Sequence, residues 1–216
     1  MNFIAGMLYF TFKDEAIVFS ILTGIISTFQ LEELYKHDVP LLKDYMYKTN
    51  RLLAIFLPRF HSHIYNEGIN AIYLCSSWFL TIFTYIMQSR DKPPVFLQEV
   101  FNKFMIDGFK AILKAVLFVL GYFEENMLKM SYENIIHFLN ELPKSEFYNN
   151  PEIARQFVEK YSYFKLTKEL MQKLNEEHEN ILSMSDNYKL IPLKDPFKYI
   201  LFEGKERKPV RIKLSI

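Results

Sequence analysis

The sequence is poor in the residues from which reactive sites are built. One cysteine, Cys75, stands in an apolar run of a 216-residue chain. Neither a disulfide framework nor a thiolate metal site can be assembled from it, and a reducing, cytoplasmic setting fits. Charge of one sign is also missing: 26 Lys and Arg meet 25 Asp and Glu, a formal +1. That balance gives no chain-wide basic field, so nucleic acid is not an expected partner. There is no glycine-rich anion loop, and no Ser/His/Asp order or elbow motif to support hydrolase chemistry. No cofactor is expected. The first residues, Met1-Asn2-Phe3-Ile4-Ala5-Gly6, carry no cationic stretch of the secretory kind, and Lys13, Asp14 and Glu15 cut short the apolar segment that follows.

Long apolar runs are few. Ala16 to Phe29 and Ala111 to Phe123 are too short to span a bilayer. Ile69 to Met87 approaches the ~20 residues a bilayer needs, but Asn70, Ser76, Ser77, Thr81 and Thr84 dilute it, and it reads as a buried core helix. An integral membrane protein is not expected.

What the chain does have is apolar bulk, 50% hydrophobic and 17% aromatic, enough to bury one sizeable core. Helical spacing dominates. Asp14 to Phe29 opens on acids that favour the helix dipole. From Pro40, the residues Leu41, Leu42, Tyr45, Met46, Leu52, Leu53, Ile55, Phe56 and Leu57 recur at amphipathic spacing until Pro58. A short helix runs from Arg59 to Asn66 and stops at Glu67-Gly68, and another begins near Cys75. After the break at 90–94, an apolar face from Val95 ends at Asp107-Gly108, and Phe109 to Met130 continues as an apolar helix. Ser131 caps a helix that Pro143 ends. Glu152 to Met184 reads as one long charged helix, with Lys165, Lys168, Glu169, Lys173, Glu176, Glu177 and Glu179 on wet faces. Tyr199-Ile-Leu-Phe and Val210-Arg-Ile-Lys-Leu-Ser-Ile are β-like runs around a turn-rich 203–209.

These residues resemble the Rab-GAP (TBC) domain family. Met1-Asn2-Phe3-Ile4-Ala5-Gly6 is similar to the end of the family's Tyr-x-Gln-Gly-Met-Asn motif. Leu34-Tyr35, Arg51-Leu52-Leu53, Leu57-Pro58, Ser77-Trp78-Phe79-Leu80-Thr81-Ile82-Phe83 and Phe104 to Gly108 follow in the family's order. The motif remnants are thus Met1, Asn2, Gly6, Trp78, Phe79, Phe101, Asn102 and Gly108. Phe101-Asn102 departs from the family's Trp-Asp, as in a diverged member. The resemblance implies an all-α helical array over 1–143 equivalent to the C-terminal portion of the domain. An additional amphipathic helix over 144–186 and a basic extended or hairpin tail over 187–216 would follow.

GTPase activation needs positive charge against the γ-phosphate and a positioned water; an arginine supplied in trans is worth ~10³ to 10⁵ in rate. The resemblance implies that the family supplies the arginine from Ile-x-x-Asp-x-x-Arg and a glutamine from Tyr-x-Gln-Gly-Met-Asn, and both would precede Met1. Leu41-x-x-Asp44-x-x-Tyr47 echoes the arginine motif but ends on the wrong residue. Arg51 and Arg59 sit beside packing leucines and a proline, where ion pairing or snorkelling accounts for them, and Arg90 sits in a loop. His61, His63 and Glu67 make no metal site, because residues two apart leave a helix on different faces; both histidines read as solvent-facing. Metal and catalytic residues are therefore expected to be none.

Two functions fit: a regulator of Rab-type small GTPases that is non-catalytic alone, or an adaptor that binds a protein-assembly partner through its TBC-like helices. Either leaves an apolar N-terminal face at Phe3, Ile4, Met7 and Leu8 for a partner or a missing half to cover. The tail from Tyr188 holds eight Lys/Arg against three acids, which suits acidic partners such as tubulin-like or anionic lipid surfaces, or simple solubilisation.

Overall fold

The computed structural model describes residues 1–87 and 92–184. Twelve α-helices are described: α1 Asn2–Phe12, α2 Glu15–Thr28, α3 Glu32–Tyr35, α4 Pro40–Phe56, α5 Pro58–Asn66, α6 Ala71–Leu80, α7 Val95–Asp107, α8 Phe109–Tyr122, α9 Glu124–Met127, α10 Tyr132–Glu141, α11 Pro151–Lys160 and α12 Lys168–Met184. Short 3-10 turns occupy Thr84–Met87, Leu142–Lys144 and Glu146–Asn149. The fold is all-α, with no strand among the described residues; the β-like runs of the tail lie outside them.

Local chemistry sets most of the boundaries. Asp14 accepts from the Ile17 amide at 3.0 Å and caps α2. Pro40 and Pro58 each open a helix, where a missing N–H costs nothing. Gly68, at φ +70°, ends the segment after α5. The helix expected near Cys75 starts earlier, because Asn70 accepts from the Ile72 amide at 3.1 Å. It also stops early. Ile82 and Phe83 both take positive φ, and the Phe83 amide turns back to the Trp78 carbonyl at 2.7 Å. The apolar run 69–87 is thus a ten-residue helix, a left-handed turn and a 3-10 turn. Among the described residues no helix is long and apolar enough to cross a membrane.

Further expectations need correction. The helix from Phe109 ends at Tyr122 rather than Met130, and Glu124 in the next turn accepts from the Phe60 amide at 3.3 Å. Glu152 to Met184 is two helices, because the chain turns at Tyr161, whose hydroxyl donates to Asp107 at 2.6 Å. Ser131 does not cap α10 through its side chain; the Tyr132 amide donates instead to Glu67, 65 residues away, at 3.0 Å.

The core centres on α8, buried on nearly every side from Phe109 through Gly121. α7 folds back against it across Gly108, stacking Phe96 on Phe118 with centroids 5.9 Å apart. Tyr148 and Phe157 close over the same ring at 5.4 and 5.1 Å, which joins α11 and the preceding 3-10 turn to the core. α1 lies along α2 and the Thr84–Met87 turn. Ile4, Met7 and Leu8 are buried there, contrary to expectation, since spacings of three and four put them on one face of α1. Phe3 stays exposed, with Tyr9, Phe10, Phe12, Ile17 and Phe19.

Candidate functional site

The motif remnants fall into two places. Met1 precedes α1, and Asn2 and Gly6 lie within it. A Cβ on Gly6 would meet nothing within 4 Å, so no close approach there demands glycine. The others surround the α6, α7 and α8 junction. Trp78 is buried and stacks on Phe83 at 4.9 Å. Phe79 is buried and stacks on Tyr45 at 5.4 Å, and Tyr45 reaches Phe109 at 4.5 Å. Phe101 packs on Phe104, which also meets Phe29 and Phe109. Gly108 sits under that cluster at φ +60°, ψ −143°, and a Cβ would come within 3.3 Å of the Phe29 ring. Asn102 points out of the cluster and is exposed. Aromatic packing therefore joins Phe79, Phe101 and Gly108, while Met1, Asn2 and Gly6 stand apart at and within the start of α1. Cys75 is buried, its thiol directed to the Ala71 carbonyl at 3.1 Å, and burial pushes its pKa up, so it is no nucleophile.

A second constellation was not expected. Asp44, Tyr47, Lys48 and Arg51 recur on one stripe of α4, and Glu177 and His178 of α12 lie against them. Arg51 is 1% exposed. Its Nε donates to Glu177 Oε2 at 3.1 Å and its Nη2 to Oε1 at 3.4 Å. The Tyr47 hydroxyl donates to the same Oε2 at 3.0 Å and its ring stacks on His178 at 4.9 Å. His178 Nδ1 donates to Asp44 Oδ1 at 3.1 Å, and Lys48 bonds the other oxygen. Burial pushes the Asp44 carboxyl up, but the hydrogen bonds from His178 and Lys48, with their charges, outweigh it and hold it below its usual value. Glu177 is thus no wet-face residue. The two residues of the false arginine motif, Asp44 and Tyr47, serve here to dock α12.

The remaining arginines of the described chain are also engaged. Arg59 pairs with Glu125 at 2.6 Å, and Arg155 pairs with Glu152 and Glu159 at 2.7 and 2.8 Å. Arg90, Arg207 and Arg211 lie outside the described residues. His61 is buried rather than solvent-facing; burial, then the nearby Arg51 charge, lower its pKa. His63 donates to the Met130 carbonyl at 2.9 Å. Among the described residues no group of three or more His, Cys, Asp or Glu could hold a metal ion.

The Rab-GTPase-TBC domain family matches residues 1–128 of the chain. The GTPase-activating protein GYP5 of Saccharomyces cerevisiae is 29% identical over 141 residues, covering 65% of this chain and 15% of that protein. The ecotropic viral integration site 5 protein homolog of Homo sapiens is 23% identical over 179 residues, covering 83% of this chain and 21% of its own length. The probable GTPase-activating protein GYL1 of Saccharomyces cerevisiae is 20% identical over 137 residues, covering 63% and 18%. The chain therefore spans about a fifth or less of the length of these relatives.

Proposed function

Because the chain belongs to the Rab-GTPase-TBC domain family, we propose that it serves in the regulation of Rab-type small GTPases, contributing helical scaffold and contact surface rather than the groups that speed hydrolysis. The observation that carries this reading is the state of the described arginines, Arg51 above all. A hydrolysis-activating arginine must be free to reach the γ-phosphate, whereas Arg51 is buried under Glu177; Arg59 and Arg155 meet carboxylates only at the surface, where such pairs are weak. The resemblance puts the family's own arginine and glutamine ahead of Met1, so activation would call on a segment that carries them. The reading also takes residues 1–143 as the C-terminal portion of the domain, with 144–186 added to it and 187–216 as a basic tail.

A second reading, an adaptor in a protein assembly, is favoured by one feature. Phe3, Tyr9, Phe10, Phe12, Ile17 and Phe19 leave aromatic and aliphatic surface open along α1 and α2, with Phe19 68% exposed. The two readings separate in a binding experiment. Rab GTPases loaded with a non-hydrolysable GTP analogue or with GDP are titrated against the chain by calorimetry. Binding that prefers the GTP form supports the first. No nucleotide-dependent binding to any Rab tested sinks it and leaves the adaptor.

A further inference from the structure

The tip of the α7–α8 hairpin gathers positive charge around a protruding aliphatic side chain. Lys103 from α7 and Lys114 from α8 both lie over the Tyr161 ring, at 5.1 and 3.9 Å from its centroid. Lys110 stands close enough that it and Lys103 both act on the Lys114 ammonium, and it and Lys168 both act on Glu169. Burial first, then Lys110 and Lys103, pull Lys114 below the usual lysine value in spite of Asp107. Asp107 and Glu169 lie among these lysines, and Asp107 already accepts from the Tyr161 hydroxyl. Beside them, in the last turn of α7, Met105 is exposed and Ile106 is 79% exposed, the highest value among the exposed large hydrophobic residues.

We propose that this tip, formed by Lys103, Lys110, Lys114 and Lys168 around Ile106 and Met105, is a contact site for an anionic membrane surface. Lysines are mobile point charges that suit a diffuse layer of headgroups, where paired recognition of one carboxylate or phosphate favours the arginine fork. The apolar element is the end of a helical hairpin rather than a groove, so it can enter the headgroup boundary but offers little of the ~800 Å² per partner that a stable protein interface buries. With so few cations the contact is weak and salt-sensitive, and it adds to other membrane attachments rather than replacing them.

The test is flotation of the full chain with phosphatidylcholine vesicles prepared with and without phosphatidylserine. The expected result is binding that needs phosphatidylserine, declines as salt is raised, and falls roughly a hundredfold in a Lys103→Gln/Lys110→Gln/Lys114→Gln variant. Ile106→Ser, at a position too exposed to disturb folding, also weakens it severalfold with unchanged circular dichroism. Substituting Arg207, Lys208, Arg211 and Lys213 of the tail by Gln leaves the part lost in those variants in place. Binding that responds only to the tail substitutions overturns the proposal. So does the absence of phosphatidylserine-dependent binding, even if the same lysines prove to hold an acidic protein.

Discussion

Arg51 of α4 and Glu177 of α12 stand 126 positions apart in sequence, and in the fold Arg51 Nε donates to Glu177 Oε2 at 3.1 Å with the arginine shut from solvent. Removing one partner of a buried pair leaves the other desolvated, at a cost of about 3–5 kcal/mol when burial is complete. Glu177 remains 27% exposed, so Glu177→Gln is expected to cost about 1–3 kcal/mol. Arg51→Ala costs at least as much. In a double-mutant cycle read by thermal denaturation, the pair should show strong coupling; additive losses would mean that the Arg51–Glu177 pair does not help to dock α12.

His61 should make the fold acid-sensitive. Its folded pKa lies below the ordinary value, because burial and then Arg51 disfavour the imidazolium. The unfolded chain therefore binds the proton more readily. The contribution of His61 is complete above pH ~6.5 and is lost as pH falls through that value towards the folded pKa. Asp44, with its depressed pKa, adds a separate loss only below pH ~4. Denaturation midpoints measured from pH 7.5 to 5 should decline, and His61→Gln should flatten the slope.

Two glycines should respond in opposite ways. Gly108 holds φ +60° beneath the Phe29 ring, so Gly108→Ala strains the backbone and crowds the ring, costing about 1–3 kcal/mol. Gly6 is in the middle of α1 with open space around it, so Gly6→Ala should stabilise by about 0.5–1 kcal/mol. At ~2–4 °C per kcal/mol for a chain of this size, calorimetry resolves both.

The later motif remnants divide by burial. Trp78→Ala opens a cavity against Phe83 and should cost about 3–5 kcal/mol. Asn102→Asp, on the exposed side of α7, should change stability by no more than ~0.5 kcal/mol. A large loss of stability would mean that Asn102 is engaged within the fold after all.

Where the backbone's own rules set a boundary, the sequence shows it. Pro40, Pro58, Asp14 and Gly108 act through ring geometry, capping and positive φ, all within a few residues. Long-range contacts are not legible in this way. The α4 stripe of Asp44, Tyr47, Lys48 and Arg51 has the spacing of a solvated face, and only Glu177 and His178 arriving from α12 bury it. The turn at Tyr161 depends on Asp107, and the start of α10 on Glu67. No helical period announces those partners. Asn70, which in the sequence reads as no more than a polar residue diluting an apolar run, caps α6 through the Ile72 amide.

The most direct measurement is single-turnover GTP hydrolysis by a panel of Rab GTPases with this chain added in excess. Rates within about twofold of the intrinsic value, together with retained binding to the GTP-loaded form, are expected from a scaffold whose described arginines are all tied to carboxylates. Acceleration of ~10³ or more by the chain alone, the effect of an arginine supplied in trans, would contradict it.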